Sequence, residues 1–139
     1  MSTTHATPRA TWIALPTGIV FALSFALLFA VLPGDTVSNT GPKIGLYVLA
    51  AVLGPITVLI LRFIADRLRL ERRRFVVIAS AGAVSFDGLF VGLWPDVYGH
   101  QGADLANVAA LILFGLAAIL VADQATPVDS LPRRKESRT

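Results

Sequence analysis

The chain has no cysteine, which excludes disulfides, thiol catalysis and iron–sulfur ligation. Charge is scarce too: 15% of the 139 residues are Asp, Glu, Lys or Arg, against about 25% in ordinary soluble domains. There are only two histidines, both in polar segments. No Ser-His-Asp grouping, His-Glu-x-x-His pair, P-loop or G-x-G-x-x-G junction is present. The residues therefore point away from an enzyme and give no site for a cofactor.

What fills the chain is apolar. Hydrophobic residues make up 55% of it and the mean hydropathy is +0.70, the signature of a lipid-embedded protein. Four stretches are long enough to cross about 30 Å of hydrocarbon as helices: Thr11 to Leu32, Ile44 to Leu61, Phe75 to Pro95 and Leu105 to Ala122. Backbone in hydrocarbon must satisfy its own hydrogen bonds, and four such runs do not make a closed barrel. The expected fold is an all-α integral membrane bundle of four transmembrane helices over residues 11–123. Residues 1–10 and 124–139 are polar, proline-bearing and without an apolar face, and read as disordered tails.

Basic residues set the expected orientation. Eleven of the twelve Lys and Arg lie before the first run, between the second and third, or after the fourth; Lys43 alone lies on the other side. The positive-inside rule then puts both termini in the cytoplasm. The charge of +3 and pI near 10 follow from that topology, so they are no argument for nucleic acid. Ten Arg to two Lys, with abundant Ala and Val, suggest a GC-rich bacterial genome and hence a bacterial cytoplasmic membrane. Between the second and third runs, Arg62 to Arg74 contains no Gly or Pro, so the second helix is expected to continue past the apolar run, supported by Arg62–Asp66 and Arg67–Glu71 pairs. Arg69, Arg72, Arg73 and Arg74 are candidates for holding lipid headgroups or a partner protein.

The chain resembles itself at an offset of 61 residues. Ser24 to Asp35 over Ser85 to Asp96 gives six identities in twelve positions, and Gly54 falls on Gly115. The expectation is two repeated helical hairpins in one orientation, a scaffold whose binding sites lie between repeats. Small residues at four-residue spacing mark expected helix contacts: Gly18, Ala22, Ala26 and Ala30 in the first run, and Ala81, Ser85, Gly88 and Gly92 in the third.

Asp87 is the one acid inside these runs, where a carboxyl costs about 2.5 to 3.5 kcal/mol on insertion scales. It is read as a candidate proton or cation site with Ser24, Ser85 and Asn107 as polar neighbours. The competing reading is a hydrogen-bonded carboxyl that helps helices adhere. Asp96, His100 and Asp104 share a four-residue spacing, but Pro95, Gly99 and Gly102 argue against a helix there, so no metal site is read. Trp12, Trp94 and Tyr98 are expected to anchor in the membrane interface.

Asp87-Gly88-Leu89-Phe90, followed by Trp94-Pro95 and Tyr98-Gly99, resembles a motif of an uncharacterised family of small four-span bacterial membrane proteins. The resemblance implies the same four-span fold and carries no activity. The sequence reads as a multi-pass integral membrane protein of unassigned function; the hypothesis drawn from Asp87 is a small transporter or channel-like subunit, homo-oligomeric or with a membrane partner. The alternative is a structural or regulatory subunit bound through its Arg-rich loop.

Overall fold

The computed structural model describes residues 8–127. The expected tails lie largely outside the described residues. Five α-helices and one 3₁₀ turn follow in order: α1 (Pro8–Ala30), α2 (Gly34–Ser38), α3 (Thr40–Arg67), α4 (Arg72–Leu93), the 3₁₀ turn (Pro95–Tyr98) and α5 (Gly102–Ala125). α1, α3, α4 and α5 are long and apolar enough to cross a membrane. An all-α bundle is the observed fold.

Local chemistry sets the boundaries. The third run ends at Leu93 rather than Pro95, because a residue before proline is driven out of the α region. Trp94 accordingly sits at φ −137°, ψ 62°. α3 does continue past its apolar run, to Arg67, and closes with Leu70 N–H donating to Ala65 O and Arg69 N–H to Asp66 O. That closure puts Arg69 at φ 55°, the left-handed position glycine usually fills. The expected Arg62–Asp66 and Arg67–Glu71 pairs do not organise this segment. Asp66 instead accepts from Arg72 Nε at 2.6 Å, and Arg67 stacks over Phe63. The turn folds back, so the nearest cation to Asp66 comes from the next helix.

Packing departs from two separate hairpins. α1 lies chiefly along α4, and α3 along α5. The start of α1 joins the start of α4 in one core (Ala14, Phe75, Val76, Ala79), while Ala26 near the end of α1 meets Tyr98, Val108 and Phe90 in another. On α1 the buried face is Ala14, Gly18, Ala22 and Ala26, one turn displaced from the expected stripe. Gly18 is buried against the Ala79 carbonyl so closely that a methyl group would overlap it, and a Cβ at Gly82 would lie 2.5 Å from Leu15 O. Backbone approach of this kind is how helices gain contact in lipid, where burying Leu against Leu gains little.

Gly88 and Gly92 are not in that interface. Nothing lies within 4 Å of a Cβ built at either. The buried residues of α4 are Phe75, Val76, Ala79, Ser80 and Gly82, and Phe90 packs farther along the same helix. Residues two positions on from Ala79 point about 200° away around the helix, so the Ala81, Ser85, Gly88, Gly92 face is exposed.

Candidate functional site

A partly open apolar cavity of about 120 Å³ is lined by all four long helices. Phe21, Phe25 and Phe29 of α1 face Leu53, Thr57 and Gly115 across it, and α4 contributes Asp87. Asp87 is the one ionisable residue in the lining. Its Oδ1 accepts a 2.6 Å hydrogen bond from the Tyr98 hydroxyl. Thr57 donates to Leu53 O on its own helix, so its hydroxyl proton is already committed.

Tyr98 reaches Asp87 because the 3₁₀ turn after α4 folds back over the bundle. Its ring is fully buried with Ala26, Val37 and Val108. Burial, and then the hydrogen bond and charge of Asp87, push the Tyr98 phenol above its ordinary range, so it stays a donor. The turn is pinned on α1: Gly99 has φ 68°, and a Cβ there would lie 2.7 Å from Ala30 O. His100 Nε2 lies 3.1 Å from Phe29 O. A carbonyl only accepts, so Nε2 carries the proton and His100 caps the open end of α1.

The expected neighbours are distributed otherwise. Ser24 is exposed and donates to Val20 O on its own helix. Ser85 is exposed on the far face of α4. Asn107 Oδ1 accepts from Lys43 Nζ at 3.4 Å, joining the starts of α3 and α5. The partner of Asp87 is Tyr98, which the sequence reading assigned to the membrane interface. Pro95, two residues past the end of α4, marks the break in the sequence, but it is packing of Tyr98 with Ala26, Val37 and Val108 that brings the ring onto Asp87. Asp96, His100 and Asp104 line a separate polar pocket at that end. Among the described residues, no group of three His, Cys, Asp or Glu is placed to hold a metal.

At the opposite end Arg62 and Asp123 form a buried ion pair, with Thr126 O accepting a further bond from Arg62 at 3.4 Å. The sequence pairs Arg62 with Asp66 and leaves Asp123 one residue beyond the fourth apolar run, so the structure corrects the partner of Arg62. The two residues are 61 positions apart, and no local spacing marks them as partners. Around the adjoining turn, Arg69 and Arg73 are exposed and Arg74 partly so, while Arg72 is engaged by Asp66. The chain matches no family model, no curated protein and no solved structure.

Proposed function

We propose that this protein is a small multi-pass transporter or channel-like subunit of a bacterial cytoplasmic membrane, with both termini in the cytoplasm and Asp87 as its titrating group. The observation that carries the proposal is a single carboxyl in the wall of an otherwise apolar, partly open cavity between the helices, with no Lys or Arg lining it. Retaining an acid there is costly, which favours a use for it. The apolar wall favours a carrier over a hydrated ion channel, because it offers no chain of polar groups for water to follow.

The test is proton and cation flux into liposomes containing purified wild type or Asp87→Asn, at matched insertion and oligomer size. Flux in the wild type that is lost in the variant supports the proposal. Equal flux in both, or in neither, overturns it.

A second reading is favoured by the Tyr98–Asp87 hydrogen bond, which gives the carboxyl a purely architectural use. In that reading the protein is a structural or regulatory subunit. Arg69, Arg73 and Arg74 then meet a partner protein or anionic headgroups, and the flux experiment returns no signal in either form.

A further inference from the structure

We infer that the cavity between α1, α3, α4 and α5 binds a small organic cation with an aromatic or alkyl body, its cationic nitrogen at Asp87. The inference rests on the reading of Asp87 as a functional group and names the ligand of that site. Two side chains in the lining carry oxygen, Asp87 and Thr57, and the Thr57 hydroxyl already donates to Leu53 O. A hard metal cation such as calcium asks for about six to eight oxygen ligands, so the cavity is poor in what an inorganic ion needs. It is rich in what an organic cation needs. Phe21, Phe25 and Phe29 stand at four-residue spacing along its α1 wall, and aromatic faces attract cations. Tyr98 occupies Oδ1, leaving Oδ2 to accept from an ammonium N–H. Neutral and anionic bodies of the same shape gain nothing from the carboxylate.

The probe is 1-naphthylmethylammonium, measured by equilibrium dialysis against the full chain in nanodiscs, with protein-free nanodiscs as background and 1-naphthylmethanol as neutral isostere. Wild type is expected to bind the cation about tenfold more tightly than the alcohol. Asp87→Asn should abolish that preference while holding the alcohol within about twofold of its wild-type affinity, which shows the cavity intact. Phe25→Leu, which keeps bulk and removes the ring, should weaken the cation more than the alcohol. Binding no greater than background, or a preference that survives in Asp87→Asn, overturns the inference. If the cation fails to bind while Asp87-dependent proton flux persists, the ligand class falls and the titrating role stands. If it binds without any flux, the site stands and transport falls.

Discussion

Arg62 on α3 and Asp123 on α5 meet side by side, with Nε and Nη2 both donating to Oδ1, at 2.9 and 2.7 Å. Nη2 also donates to the Asp123 backbone carbonyl at 2.8 Å, and the Asp123 side chain is buried. Removing one member of such a pair strands a charge, whereas replacing both with apolar groups removes the desolvation cost as well. Arg62→Met and Asp123→Leu should each lower stability by about 3 to 5 kcal/mol, and the double variant should recover most of it. Denaturant unfolding in bicelles measures this cycle; losses that simply add would show the two side chains to be independent.

The α1–α4 contact depends on missing side chains at Gly18 and Gly82. Gly18→Val forces a methyl group into the Ala79 carbonyl, and overpacking of this kind costs about 1 to 3 kcal/mol. Gly88→Val meets open space and should change monomer stability by less than about 0.5 kcal/mol. Thermal melting of the three proteins separates the two faces of α4. An equal loss at Gly88 would mean that its face is covered in the native assembly.

Arg69 holds a left-handed backbone at the end of α3, which costs an L-residue about 1 to 2 kcal/mol. Arg69→Gly should therefore stabilise the protein by about 1 kcal/mol, partly offset by the freedom glycine gains when unfolded. Arg69→Ala keeps the strain and removes the charge, so it should show no such gain in the same unfolding assay.

Tyr98→Phe takes the donor away from Asp87 and should cost about 1 to 3 kcal/mol. Asp87→Asn should cost less, since an amide oxygen still accepts from the hydroxyl. The phenol binds its proton more tightly in the folded protein than in the unfolded chain. Its contribution is thus complete below the unfolded value of about pH 10 and is lost as pH rises beyond it. Wild type should lose stability above about pH 10 more steeply than Tyr98→Phe; parallel pH profiles would exclude Tyr98 as the cause.

The four long helices were legible because run length and hydropathy are summed over some twenty residues, and the turns because Pro33, Pro95 and Gly99 act on their own neighbours. Gly18, Ala22 and Ala26 were legible as a packing face for the same reason. Gly88 and Gly92 carry the same spacing, and nothing in the sequence says which of two small faces on α4 meets a neighbour. Pairing was hidden for a related cause. Arg62 has Asp66 four residues away, and only the approach of α5 decides that Asp123 is its partner. Tyr98 looked like an interface ring because the chain's return over the end of α1 is set by long-range packing with Ala26, Val37 and Val108.

The leaning of α1 on α4 bears on how the chain is assembled. When α1 and α3 have entered the bilayer, neither has met the helix it will rest against, since α4 and α5 are still to come. Until they do, the small-residue face of α1, Ala14, Gly18, Ala22 and Ala26, has no helix to cover it. The second half of the chain therefore carries the main packing partner of each long helix in the first, so a fragment ending at α3 would lack both of the contacts that hold the bundle.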